Sequence, residues 1–122
     1  MNPRITVGLV VKNCENYIAE TIKSILNQDL PQKQLEIIVV DGHSTDKTLS
    51  IIKRELTGCQ IQTRIFLENE GLGAARQIVV DNARGEYIVW VDGDITMSMD
   101  FFRKLLGFLQ QNARFGMARA LQ

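Results

Sequence analysis

The residues most able to do chemistry are Asp92, Gly93 and Asp94, which directly follow the apolar run Tyr87 to Val91 (YIVWV). Carboxylates on both sides of a glycine repel each other unless a positive charge joins them. A divalent cation with oxygen ligands suits such a pair. Magnesium or manganese is often held by one or two carboxylates together with substrate phosphates, and the glycine lets the backbone turn tightly between them. The same residues read equally well as a solvated turn in which Asp94 caps the next helix. Asp41 ends the run Leu35 to Val40 in the same manner. Taken alone, its position favours bracing the turn Ser44-Thr45-Asp46. Arg76 follows the loop Gly71-Leu72-Gly73, where a guanidinium could face phosphate or a base, or make a surface salt bridge. His43 is the only histidine and has no metal-binding partner in its loop, so it reads as a turn residue. Cys14 and Cys59 show no metal-ligand spacing and read as reduced thiols.

These residues must be held by something regular. Ile5–Val11, Leu35–Val40, Ile61–Leu67 and Tyr87–Val91 are short runs rich in β-branched or aromatic residues, each bounded by polar or turn-forming residues. Three are nearly continuous, as expected of strands covered on both faces. The run Ile61–Leu67 includes Gln62 and Arg64, which places it nearer a sheet edge. Helical stripes lie between the runs. Ile18, Ile22, Ile25 and Leu26 form the first, closed by Pro31; Leu49, Ile52 and Leu56 form the second, with Ser44 or Thr45 to cap it and Gly58 to end it. Leu72, Ala75, Ile78 and Val79 form the third, and Phe101, Leu105 and Leu109 begin a fourth. Gly116 to Leu121 could start a further strand. Alternating strands and helices predict a three-layer α/β/α sandwich with a mainly parallel sheet, Rossmann-like, joined by right-handed crossovers. Ligands then bind beyond the carboxyl ends of the strands, near the point where strand order reverses. The first strand should lie beside the fourth, bringing Asn13 near Asp92.

Composition narrows the function. The 122 residues carry 14 Lys+Arg and 14 Asp+Glu, a net charge of zero, which argues against an electrostatic nucleic-acid binder. No apolar run approaches the roughly 20 residues of a membrane span. The start of the chain lacks the long apolar core of a secretion signal, so a cytoplasmic location is expected. Residues 1–122 fit one domain.

Taken together and in order, the loops resemble family 2 glycosyltransferases of the GT-A fold. Val7 to Asn13 resembles the family's opening strand and proline-threonine-tyrosine-asparagine turn, with only Asn13 of that turn matching. Tyr17 to Gln28 is similar to its first helix. Ile37 to Thr48 resembles the usual VVDDGSTDGT segment, departing at Gly42, His43 and Lys47. Asn69 to Arg76 resembles the glycine-and-arginine loop, and Gly85 to Asp94 the strand leading into the metal motif. The resemblance implies a nucleotide-sugar site for a UDP- or GDP-sugar. Asn13 and the backbone at Val11 would line the nucleoside pocket, and Asp41 would accept a hydrogen bond from the base. Arg76 would lie near base or diphosphate, Asp92 would face ribose and metal, and Asp94 would ligate manganese or magnesium. Family members continue beyond the metal motif to supply the acceptor site and a carboxylate base. Asp100 is the only acid after Asp94 and suits a helix's first turn, so the catalytic base is unassigned and the chain reads as a donor-binding part. In a longer parent protein it would work at the cytoplasmic face of a membrane.

A haloacid-dehalogenase-like phosphatase has a similar D-x-D-x-T motif but on its first strand. A receiver-like domain needs an acidic pair after the first strand, where this chain has Lys12-Asn13. A non-catalytic nucleotide-binding or assembly module fits the missing base. The segment Met99 to Gln111 carries Phe101, Phe102, Leu105, Leu106, Phe108 and Leu109. That is more than one helical stripe, so a homodimer through this helix or the neighbouring sheet edge is expected.

Overall fold

The unbroken apolar runs form the most deeply buried strands. β1 (Ile5–Val11) and β2 (Leu35–Asp41) are shielded on both faces along nearly their whole length. β3 (Gln62–Leu67) has no fully buried residue, in keeping with its interspersed Gln62 and Arg64. β4 (Tyr87–Asp92) and β5 (Met117–Arg119) complete the sheet. The helices are α1 (Ile18–Leu26), α2 (Thr48–Leu56), α3 (Leu72–Asn82) and α4 (Phe101–Gln111), with a 3-10 turn at Gln32–Gln34. The computed structural model describes residues 2–112 and the strand at 117–119.

The sheet has five strands in the order β3-β2-β1-β4-β5, all pairs parallel. From β1 the chain steps outward to β2 and β3, then returns to β4 on the other side of β1. The reversal therefore falls between β1 and β4, as expected. Register brings the strand ends level: Val11 pairs with Asp41, Val10 with Asp92, and Asp41 with Leu67.

Alternation along the strands divides the core. Val7, Leu9, Ile37, Val39, Val89 and Val91 face Ile18, Ile22 and Ile25 of α1, Ile52 and Leu56 of α2, and Phe102 and Leu106 of α4. Ile38 and Val40 face Ala75 and Val79 of α3, with Ile88 and Trp90 packed alongside. A right-handed crossover requires α3 to change faces, because its step reverses direction. The expectation of uniform right-handedness fails at one place. The step from β4 to β5 runs in the same direction as that from β3 to β4, yet α4 stays on the α1 face, so this connection has the opposite hand. Local bonds hold α4 there. The buried Gln28 side chain accepts from Phe102 N–H at 2.8 Å and donates to Ser98 O at 2.7 Å, and Arg103 pairs with Asp29 at 2.9 Å.

Other details also differ from expectation. Of the six apolar residues of α4, Phe102, Leu106 and Leu109 are buried and Phe101 and Leu105 pack against the core, leaving Phe108 as the exposed one. The sheet and its neighbouring helices thus cover most of what appeared to need a partner. Neither Ser44 nor Thr45 caps α2. Its first turn is met by Asp46 Oδ1, accepting from Thr48 N–H at 2.9 Å, and by Glu15 Oε2, accepting from Lys47 N–H at 3.0 Å. Gly58 does stand just past the end of α2, at φ 84°. Within the apolar run of β2, Glu36 is 1% exposed. Its carboxylate accepts from Thr6 Oγ1, Arg84 N–H and Arg64 Nη2, the pairing that a buried charge requires.

Candidate functional site at the carboxyl edge of the sheet

The loops after β1 and β2 are joined residue by residue. Val11 O accepts from Gly42 N–H at 2.9 Å. Asn13 turns into the left-handed region at φ 50°, which asparagine tolerates better than most residues. In that position its N–H donates to Ser44 Oγ at 2.9 Å, and its Oδ1 accepts from Thr45 N–H at 2.8 Å. Cys14 N–H donates to Thr48 Oγ1 at 2.9 Å, and Glu15 N–H to Asp46 Oδ2 at 3.2 Å. His43 is a turn residue, at φ 56°.

Asp41 lies beneath this lip, 2% exposed. Its two oxygens accept from Ser44 N–H at 3.0 Å and Ser44 Oγ at 2.6 Å, so it braces the turn. Asp92 and Asp94 stand beside the lip. Between them, Gly93 is buried against it: a Cβ there would lie 2.6 Å from Cys14 Sγ and 3.1 Å from Val11 Cγ1. Gly93 O accepts from Thr21 Oγ1 at 3.0 Å, tying the acid pair to α1. Burial pushes the Cys14 thiol above its ordinary value; the Thr48 hydroxyl opposes this, and negative charge on Asp46, Asp41 and Asp94 adds to it. The Asp46 carboxyl is held below the usual range, chiefly by the Thr48 hydroxyl and further by the Thr48 and Glu15 amides, against an opposing effect of desolvation.

Among the described residues, three of the hollows along this edge share Val10. One, of about 330 Å³, is lined by Val11, Lys12, Asn13, Cys14, Tyr17, Gly93 and Asp94. A second, of about 470 Å³, lies between Lys12, Gly42 and the loop Glu68–Leu72. A third, of about 130 Å³, is lined by Gly8, Leu72, Arg76, Trp90, Val91 and Asp92. The fold thus brings Val11, Asn13 and Asp94 to one hollow, and Arg76 and Asp92 to an adjoining one. Asp41 lines none of the three.

Sequence reading missed Glu68, which shapes the second hollow. Glu68 Oε2 accepts from Glu70 N–H at 2.7 Å and Gly71 N–H at 2.8 Å, fixing the approach to α3. An acid three residues before a glycine at a helix start was the available signal. Trp90 was missed as well: the Arg76 guanidinium lies over its ring, 5.9 Å from the centroid. The salt bridge considered for Arg76 is not found among the described residues. Asp100 sits at the start of α4, bonded to Ser98 Oγ at 3.0 Å and to Lys104 Nζ at 2.8 Å.

A Rossmann-like sheet with clefts at its carboxyl edge belongs to the α/β class whose ligands bind at a strand-order reversal. Comparison with known proteins narrows the class. Residues 6–119 match Glycosyl transferase family 2, and the chain belongs to that family. An uncharacterized glycosyltransferase of Haemophilus influenzae is 35% identical over 112 residues, covering 90% of this chain and 44% of the relative. Staphylococcus aureus TarS, a poly(ribitol-phosphate) beta-N-acetylglucosaminyltransferase, is 29% identical over 110 residues, 89% of this chain and 19% of its own length. The chain therefore spans less than half of either relative. Among solved structures, a Pyrobaculum calidifontis mannosyltransferase in complex with GDP-Man and Mn2+ superposes with TM-score 0.82 at 30% identity, covering 89% of this chain and 33% of that one. TarS in complex with UDP superposes with TM-score 0.80 at 26% identity, covering 90% and 33%. The fold matches that of these GT-A glycosyltransferases, an α/β architecture on a parallel sheet. The D-x-D-x-T segment begins at the last residue of the fourth strand, unlike the phosphatase arrangement on a first strand.

Proposed function

We propose that the chain is the donor-binding part of a glycosyltransferase that takes a nucleoside-diphosphate sugar, UDP- or GDP-linked, and passes the sugar to an acceptor. The observation that carries this reading is the level register of Val10, Val11, Asp41 and Asp92. It supports a single ligand lying across the ends of β2, β1 and β4. Val11 and Asn13 wall the nucleoside end, and Arg76 faces the diphosphate. Asp41 contributes by holding the Gly42–Lys47 turn, since Ser44 engages both its oxygens.

The edge is crowded with acids. Glu15, Asp41, Asp46, Glu68, Asp92 and Asp94 stand on it against Lys12, Lys47 and Arg76, so a diphosphate approaches unfavourably without added positive charge. Asp92 and Asp94 offer hard oxygen donors, the chemistry that magnesium and manganese take. Among the described residues no group of three His, Cys, Asp or Glu side chains is assembled to hold a metal ion; Asp92 and Asp94 would hold it together with ligand oxygens. When bound, the cation would neutralise charge on the departing nucleoside diphosphate. Asp100 is engaged by Ser98 and Lys104, so neither an acceptor nor a catalytic base is assigned. Transfer by this chain alone is expected to be absent or very slow. The reading keeps the chain in the cytoplasm, and a homodimer through α4 would use its exposed Phe108 and the neighbouring Met99.

Calorimetric titration with UDP and GDP, with and without manganese, tests the site. The parent should bind, and more tightly with manganese. Asp94→Ala should lose the manganese gain, whereas Asp41→Ala should weaken binding under both conditions. If both variants bind like the parent, these carboxylates are turn residues only.

A further inference from the structure

The pairing of Arg76 with Trp90 has a cause that can be traced into the sheet. Gly8 lies in β1 directly opposite Trp90 in β4. A Cβ at Gly8 would lie 2.9 Å from Trp90 Cε3 and 3.0 Å from Val79 Cγ1. The absence of a side chain at position 8 is therefore what lets the indole lie down between the sheet and α3. Its outer part meets the hollow formed with Leu72, Val91 and Asp92. Arg76, one turn into α3, reaches over that ring. It is exposed and makes no ion pair among the described residues. A free arginine on a helix surface samples many rotamers, and a ligand that uses it must freeze them. A tryptophan face under the guanidinium restricts those rotamers in advance and leaves the outward N–H groups open.

We propose that Trp90 is a positioning residue for Arg76, holding the guanidinium at the mouth of the Asp92 hollow to meet the diphosphate of a nucleoside-diphosphate ligand. This rests on the donor-binding reading above. Trp90 itself touches no phosphate. Its effect passes entirely through Arg76, which makes a sharp expectation for paired variants.

The test is UDP binding by the full chain, compared with uridine, for the parent, Trp90→Leu, Trp90→Phe, Arg76→Gln and the Trp90→Leu/Arg76→Gln pair. Loss of an exposed cation–π contact corresponds to about two- to fivefold weaker binding. Trp90→Leu should weaken UDP by that factor, Trp90→Phe should recover much of it, and Trp90→Leu should add nothing once Arg76 is Gln. Uridine, having no phosphate, should bind all folded variants alike. Trp90 is the only tryptophan, so its emission should change when UDP engages Arg76 in the parent and stay flat in Arg76→Gln. Additive losses in the pair, or uridine weakening in parallel with UDP, would overturn the proposal while leaving the donor reading intact. A parent that binds no nucleoside diphosphate would overturn both.

Discussion

Replacing Gly93 by alanine tests whether the acid pair depends on its contact with the first loop. The added Cβ would stand 2.6 Å from Cys14 Sγ and 3.1 Å from Val11 Cγ1. Ordinary contacts begin near 3.5 Å, so about 1 Å of movement is forced into a segment pinned by Cys14 N–H, Thr48 and Thr21. Overpacking of this kind costs about 1–3 kcal/mol. For a chain of this size that lowers the melting temperature by about 4 °C per kcal/mol, hence by ~4–12 °C. The backbone joining Asp92 to Asp94 must yield in the process, so the gain in UDP affinity from manganese should shrink too. Cys14→Ala removes the sulfur and leaves the Cβ at 3.4 Å. In the Cys14→Ala background, Gly93→Ala should therefore cost at least about 1 kcal/mol less, a coupling that a double-mutant cycle resolves. Recovery stays partial because Val11 Cγ1 remains close. Thermal unfolding of the parent, both single variants and the pair supplies the numbers. If Gly93→Ala costs the same with and without the Cys14 sulfur, the contact does not fix the acid pair and the reasoning is wrong.

Glu36→Ala removes the acceptor for Thr6, Arg84 N–H and Arg64 together, and should cost about 3 kcal/mol in urea unfolding; a loss under about 1 kcal/mol would mean that water replaces the carboxylate. Asp46 is held below its ordinary value of 3.8, chiefly by the Thr48 hydroxyl. A lowered folded pKa gives stability that is present above 3.8 and lost as pH falls through the folded value. The gap in melting temperature between the parent and Asp46→Asn should therefore close on acidification below 3.8, and a gap that stays constant would count against it.

The sheet was readable because its strands are short, β-branched and separated by single helices, so local pattern and topology agree. Asp41 and Asp92 directly follow the apolar runs and are the last residues of β2 and β4; an acid at a strand's end does not reveal whether its backbone still pairs. The candidate edge was legible for the same topological reason, since a parallel sheet gathers its post-strand loops on one side. The partners of those loops were not legible. Asn13 with Thr45, Glu15 with Lys47 and Cys14 with Thr48 are separated by more than thirty positions, and no local spacing announces them. Trp90 looked like an ordinary strand aromatic because the space it uses is created by Gly8 in the neighbouring strand. The hand of the β4–β5 connection hid in Gln28, whose position in the chain suggests only the frayed end of a helix.

Stitched together, the loops after β1 and β2 behave as the fixed jaw of a vice. Their order is established when the chain folds, so little of the roughly 1–2 kcal/mol per residue needed to immobilise backbone falls on ligand binding there. The facing loop, Glu68 to Leu72, is cross-braced far less: Glu68 N–H reaches Asp41 O, and Glu68 Oε2 gathers the next amides. It is the adjustable jaw. Lesions in the fixed jaw should register first as lost stability, with affinity following. Lesions in the adjustable jaw should change which ligand is held while the melting temperature barely moves. A shift of ligand preference within this scaffold would therefore be sought along Glu68–Leu72 before Asn13 or Ser44 is disturbed.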